Sequence, residues 1–245
     1  MLRRGTETSR PSWWWPFVAL VLPVWSIFIR YRFSGHKLPR EGAFILAPNH
    51  YSEIDPVAIA VGVWRLGRVP RFLAKEGIFK APVAGWAMRK MRHIPVTRSS
   101  TGAAVALAAG KALAEDGGCL VVYPEGTLTR DPDMWPMRGK TGAVRIALET
   151  GIPLIPCAHW GVQKILPRYG KRISLLPPKT VEMAFGEPMD LSKYQGRPID
   201  SALLAEATDE LMDQIAALLA TLRGGQPPAE RWDPSKHGQA ETGRF

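Results

Sequence analysis

The sequence predicts an α/β fold: a central, largely parallel or mixed sheet flanked by helices, with an N-terminal membrane-associated helical segment. Two observations carry the core of this prediction. From Ala43 to Ala158, short apolar runs alternate with helical, apolar-periodic segments, the signature of βαβ units. Two of the runs, Ala43–Ala47 and Cys119–Tyr123, lead straight into polar loops rich in chemistry, as strands do at the ligand-binding edge of an open sheet. A third observation concerns the N-terminus, where Trp13-Trp14-Trp15 opens a 17-residue apolar run ending at Ile29, with arginines on both sides.

At 245 residues the chain suffices for one sizeable α/β domain or two small ones. Its 32 basic and 22 acidic residues leave a net charge of +10. That favours acidic partners: anionic lipid headgroups, nucleotide phosphates, an acidic carrier protein or nucleic acid. Charge alone does not choose among them. The two cysteines, Cys119 and Cys157, sit in apolar runs and read as buried free thiols. With no CxxC and no His/Cys cluster, no metal site is expected.

Taken in order, the Trp-rich run is short for a bilayer span, and Pro16 and Pro23 interrupt it. It lacks a small-x-small cleavage site, and Arg30 and Arg32 stand where one belongs. Trp prefers the headgroup level and arginines meet anionic lipid, so residues 1–35 read as a retained, monotopic anchor. Residues 43–47 form a buried strand. Asp55 and Pro56 then open a helix from Val57 to Gly67, with Asp55 as its N-cap. A strand follows at Arg71–Ala74, a helix at Val83–Met91 and a strand at His93–Thr97. Ser99-Ser100 caps an Ala-rich helix, Thr101–Glu115. Cys119–Tyr123 is the clearest buried strand. Lys140–Thr150 is a helix with Gly151 as its C-cap. Leu154–Ala158 is a strand, and Ile173–Leu176 pairs with Val181–Phe185 as an edge hairpin around Pro177-Pro178. Asp200–Leu222 is the longest helix, apolar on one face. Residues 36–223 thus form one domain, and 224–245, rich in Gly, Pro and charge, is expected to be a disordered tail.

The chemistry centres on Asn49-His50-Tyr51-Ser52-Glu53-Ile54-Asp55-Pro56. Four residues separate His50 from Asp55, enough for the loop to bring carboxylate to imidazole. A carboxylate on one ring nitrogen fixes the tautomer and raises the basicity of the other. No Ser or Cys is placed as a nucleophile, so the pair suits a general base acting on a substrate's own hydroxyl. A lone loop His is usually structural. The second constellation is Tyr123-Pro124-Glu125-Gly126-Thr127. Glu125 can accept from substrate hydroxyls or orient neighbouring loops, and Gly126 lets backbone approach a ligand closely. Lys75, Arg98, Arg130, Arg138 and Lys140 each follow a predicted strand or lie in the loop after one. Together they would make a phosphate site, although any one alone reads as a solvated charge.

These residues bring the chain to a known family. It resembles the 1-acylglycerol-3-phosphate O-acyltransferases, in a form like the actinobacterial enzymes. Asn49-His50-x-Ser52-x-x-Asp55 looks like the catalytic His-four-residues-Asp motif. Arg92–Arg98 looks like the second block, whose closing Arg meets the acceptor's phosphate. Tyr123–Thr127 looks like the Phe/Tyr-Pro-Glu-Gly-Thr block, and Ile152–Pro156 like the fourth, Pro-rich block. One departure is Leu128, where the family often has Arg; Arg130 comes two residues later. The resemblance implies acyl transfer from acyl-CoA or acyl carrier protein to lysophosphatidic acid. His50 and Asp55 would be catalytic, and Asn49, Ser52, Lys75, Arg98, Glu125, Gly126, Thr127, Arg130 and Lys140 would bind substrate. It implies no cofactor beyond the acyl donor, membrane lipids as partners, no nucleic acid, and a place on the cytoplasmic face of the cell membrane. Alternatives in view are another lysolipid or glycerol 3-phosphate as acceptor, thioester hydrolysis, or a non-catalytic lipid-binding protein on the same fold.

Overall fold

The computed structural model describes residues 7–96 and 100–240. Seven strands form one sheet in the order β1-β7-β6-β2-β5-β3-β4. They are β1 (Ile29–Gly35), β2 (Ala43–Pro48), β3 (Pro70–Lys75), β4 (Ile94–Val96), β5 (Gly118–Val121), β6 (Leu154–Trp160) and β7 (Lys179–Phe185). Strands β2 to β6 run parallel, while β7 pairs antiparallel with β6, and β1 parallel with β7. The sheet is therefore mixed, as expected, with its carboxyl-terminal edge at the ends of β2, β5 and β6.

Period-two alternation divides the core. Phe44 and Leu46 of β2 face one layer, with Cys119, Val121 and helices α1 (Trp14–Phe28) and α2 (Asp55–Arg65). Ile45 and Ala47 face the other, with α6 (Gly142–Thr150) and α7 (Ser201–Arg223). Between these come α3 (Glu76–Phe79), α4 (Pro82–Lys90) and α5 (Ser100–Asp116). Gly151 closes α6 in the left-handed conformation, as its position predicts. Asp200 caps α7, accepting from Leu203 N at 2.9 Å. Both cysteines are free and buried.

Three expectations are corrected. The last seven residues of the N-terminal segment are strand β1, an edge strand whose Arg32 meets Glu182 across the ladder at 3.6 Å. Its alternation of Ile29, Tyr31 and Phe33 with basic residues is an edge-strand pattern, and the arginines disguised it as a membrane flank. The 173–176 hairpin arm is not a strand: Pro177 and Pro178 lack the N–H donors that a ladder needs, and β7 starts only at Lys179. The tail is ordered through Ala240 among the described residues. Arg231 ion-pairs with Asp209 and Asp213 of α7, and Trp232 stacks on His237 at 3.6 Å. Of the predicted elements, Ser99 and the end of the His93–Thr97 strand lie outside the described residues.

Candidate active site

β2 delivers His50 to the carboxyl-terminal edge of the sheet, and residues 49–54 turn the chain into α2. Asp55 does not cap α2, which carries no side-chain cap bond. Its carboxylate folds back over the loop instead. Oδ2 accepts from Tyr51 N at 2.7 Å, from Ser52 N at 2.8 Å and from His50 Nδ1 at 2.9 Å. Asp55 is fully buried, and its Oδ1 has no hydrogen-bond partner among the described residues. An ionised carboxylate only accepts, so Nδ1 carries the ring proton and Nε2 is left with its lone pair. The His50 side chain is 16% exposed, open enough to meet a substrate. Its ring stacks on Tyr123, centroids 4.1 Å apart and planes 24° apart.

The Tyr123–Thr127 turn holds the backbone of this histidine. Glu125 Oε1 accepts from His50 N at 2.9 Å and Oε2 from Met137 N at 3.0 Å. The His50 carbonyl in turn accepts from Thr129 N at 2.6 Å. Glu125 is therefore the loop-orienting group of the two roles open to it, and not a surface acceptor. Burial pushes its carboxyl up to about 8, against the opposing pull of the two backbone donors. Gly126 turns with φ +69°, and a Cβ there would come within 3.0 Å of the Lys140 side chain.

The other expected residues divide by what they touch. Asn49 and Ser52 are buried, and their side chains are spent on the frame. Asn49 donates from Nδ2 to His159 O at 3.2 Å and accepts from His159 N at 2.8 Å. Ser52 Oγ donates to Leu166 O at 2.7 Å. Both hold the loop in place. Lys140 is exposed, and its backbone N donates to Pro124 O at 2.7 Å, so it stays with the Glu125 turn. Thr127 is half-buried on the same turn. Arg130 is 1% exposed and lies one residue from the Thr129–His50 bond. Leu128 is buried, as befits an apolar residue on that turn. Arg138 turns to the tail, its Nη1 3.4 Å from Asp233. Lys75 ends β3 at the same sheet edge. Arg98 lies outside the described residues.

Two residues were missed by sequence reasoning. His159 on β6 is fully buried and donates from Nε2 to Asn49 O at 2.8 Å, 3.7 Å from Asp55 Oδ2. A carbonyl only accepts, so this ring is the Nε2–H tautomer, and burial lowers its pKa and keeps it neutral. The signal was a polar residue closing an apolar strand at this same edge. Arg168 donates from Nη1 to Thr129 O and Asp131 O, both at 2.7 Å, and buttresses the turn from a loop that carries no motif.

A His–Asp pair with a free imidazole lone pair, set at the ligand-binding edge of an α/β sheet, is a general-base site. Residues 30–160, more than half of the chain, match the family model described as Acyltransferase, and the protein belongs to that family. A chloroplastic 1-acyl-sn-glycerol-3-phosphate acyltransferase of Brassica napus is 35% identical over 124 residues, 50% of this chain and 34% of that one. A 1-acyl-sn-glycerol-3-phosphate acyltransferase of Bacillus subtilis is 28% identical over 186 residues, 76% of this chain and 86% of that one. The chain spans about a third of the length of the plant relatives it matches. The crystal structure of the 1-acyl-sn-glycerophosphate acyltransferase PlsC from Thermotoga maritima superposes with a TM-score of 0.61 at 23% identity. It covers 82% of this chain and 75% of that one, and shares the fold.

Proposed function

We propose that the protein transfers a fatty acyl group from a thioester, acyl-CoA or acyl carrier protein, to the sn-2 hydroxyl of 1-acylglycerol 3-phosphate, forming phosphatidic acid. The observation that carries this reading is the 2.9 Å contact between His50 Nδ1 and Asp55 Oδ2, which leaves Nε2 as a base. Nε2 takes the hydroxyl proton as the substrate oxygen attacks the thioester carbon. The carbon–sulfur bond breaks, and the imidazolium returns the proton to the leaving thiolate. Asp55 stabilises that imidazolium and holds the tautomer. The substrate supplies the nucleophile, so no acyl-enzyme is required. Arg98, Arg130, Lys140 and Lys75 are the proposed contacts of the acceptor's phosphate, and Gly126 and Thr127 line its approach. The names of the Brassica and Bacillus relatives support this choice of acceptor.

The proposed place of work is the cytoplasmic face of the membrane, with α1 lying in the interface. Among the described residues, no helix is long and apolar enough to cross a bilayer. The side chains of Leu20, Val24 and Ile27 are exposed on successive turns of α1, as an in-plane helix requires.

The test is product formation by the purified full chain with palmitoyl-CoA and a panel of acceptors. Phosphatidic acid from lysophosphatidic acid is expected, and its loss in His50→Ala with the fold intact. A general base contributes on the order of 10²–10⁴-fold, and Asp55→Asn should leave a remnant of activity. Preference for glycerol 3-phosphate or another lysolipid would refute the acceptor. Free fatty acid as sole product would refute transfer, and near-normal turnover by His50→Ala would refute the mechanism.

A further inference from the structure

A second charged site lies at the opposite edge of the sheet. A cavity of about 430 Å³ opens where β2, β3 and β5 begin, lined by Gly42, Val69 and Gly118. Its walls carry six cations, Arg10, Arg40, Arg68, Arg71, Lys90 and Arg92, against Glu7, Glu41 and Asp116. Much of the acidic charge is already committed. Arg68 Nε donates to Glu7 Oε2 at 3.0 Å, and that oxygen also accepts from Val69 N at 3.1 Å. Asp116 is shared by Arg71, at 3.6 Å, and Arg92. Arg10, Arg40 and Lys90 are exposed and form no ion pair among the described residues. Burial and the Arg92 charge lower the pKa of Arg71, as expected where positive charge exceeds negative.

The topology ties this cavity to α1. β2 and β6 run towards the His50 edge, β7 runs against β6, and β1 runs with β7. β1 therefore starts at the His50 edge, and α1, which ends at Phe28 immediately before it, has its carboxyl end there. The amino end of α1 is at the cavity, where Trp13 and Trp14 line the wall. Trp13 also makes an edge contact with Trp86 of α4, centroids 5.3 Å apart, and Lys90 lies over its ring at 5.2 Å. The exposed apolar surface thus runs on from α1 to Trp86, Val83 and Ile78, with the cavity at its rim. An interfacial helix flanked by basic residues meets this arrangement of charge at one kind of surface, an anionic leaflet.

We propose that the Arg10–Arg40–Lys90–Arg92 cavity binds the anionic headgroup of a bilayer phospholipid, a site distinct from the acceptor's, while the α1–α4 face inserts beside it. The inference rests on the membrane placement proposed above. Two attachment points, the headgroup cavity and the acyl-transfer edge, lie at opposite ends of α1. With both engaged, the helix is held in the plane of the membrane and His50 is kept at lipid depth.

The test uses the full chain in flotation with phosphatidylcholine vesicles, with and without phosphatidylglycerol, comparing Arg40→Ala/Lys90→Ala with Lys111→Ala/Arg197→Ala. The second pair removes equal charge from α5 and from the segment beside Tyr194, which pack on the sheet layer opposite α1, and neither residue lines the cavity. The first pair should bind anionic vesicles roughly thirtyfold more weakly and neutral vesicles unchanged, with full turnover on detergent-dispersed substrate. Equal losses in both pairs would reduce the effect to net charge and overturn the cavity. So would a first pair that binds like the parent, or one that loses neutral and anionic binding alike. Displacement from anionic vesicles by millimolar inorganic phosphate, with vesicle sucrose and salt matched, would make the cavity a free-phosphate site and overturn the lipid assignment. A parent chain that binds neither vesicle would sink the membrane reading itself, whereas binding to both with no anionic preference would sink the headgroup site alone.

Discussion

At the scale of single residues, the site is built more from backbone than from side chains aimed at a ligand. His50 is held at four points: Nδ1 by Asp55, N by Glu125, O by Thr129 and its ring face by Tyr123. Tyr123 contributes its ring and little else, because its hydroxyl is buried with no partner among the described residues. Tyr123→Phe should therefore keep activity and leave stability unchanged or higher by about 1 kcal/mol, read as a denaturation midpoint. A loss of activity would show that the hydroxyl has a partner in the working complex. Glu125 makes a second, pH-dependent prediction. With its carboxyl raised to about 8 in the folded chain, the native state keeps a proton that the unfolded chain releases above its ordinary value of 4.5. Over that window the unfolded state binds fewer protons, so stability falls as pH rises, by on the order of a few kcal/mol in all. Glu125→Gln should flatten this slope in thermal melts taken across the window. A melt series with the parent's slope would show that another group titrates.

At the scale of elements, the legible parts were those whose signal is local. Asp55-Pro56 marked the start of α2, Gly151 the end of α6, and the apolar runs marked β2, β5 and β6 within a residue or two. What escaped was settled by distant partners. β1 is a strand because β7 offers it an edge, and the tail is ordered because Asp209 and Asp213 stand one turn apart on α7 to receive Arg231. The same limit applied to the site. The His50–Asp55 pair was readable from spacing, but the bonds of Asn49 to His159 and of Ser52 to Leu166 span more than a hundred residues and only the fold shows them. His93 shows how one such contact sets a pH response. Its Nδ1 accepts from Phe72 N at 3.1 Å at the β3–β4 junction, a bond that needs an unprotonated Nδ1. Burial lowers its pKa to about 4 from 6.5. The folded form resists a proton that the unfolded chain accepts, so the contribution is complete above pH 6.5 and is lost as pH falls towards 4, about 3 kcal/mol at most. His93→Gln, which keeps an acceptor without the titration, should melt with less acid sensitivity between those values. Unchanged sensitivity would assign the acid response elsewhere, with His159 next in line.

At the scale of the whole molecule, α1 serves both the core and the outside, and this decides how the membrane reading has to be tested. Removing residues 1–25 would not isolate the anchor. Trp14 is 3% exposed and stacks on Trp64 at 6.2 Å, and Trp25 Nε1 donates to Tyr31 Oη at 3.0 Å, which itself donates to Ala58 O. A deletion would open the α2 layer behind β2 and disturb His50 for reasons unrelated to lipid. Leu20, Val24 and Ile27 are separable from that role. They are 75%, 56% and 68% exposed and follow one another at helical spacing on the outer face. Replacing all three with glutamate should leave thermal stability within about 0.5 kcal/mol, the usual range for surface substitutions. Each aliphatic side chain buried in lipid contributes roughly 1.5–3 kcal/mol, so partitioning onto vesicles should fall by more than about a hundredfold. Activity on long-chain substrate in vesicles should fall with it, while activity on a short-chain, monomeric lysophosphatidic acid should survive, since no residue of the His50 loop is touched. If both activities fall together and the melt is unchanged, the outer face of α1 contacts the substrate directly and is not the bilayer contact. If the variant still floats with neutral vesicles as the parent does, α1 is not the anchoring element, and the exposed apolar side chains of α3 and α4 become the surface to substitute next.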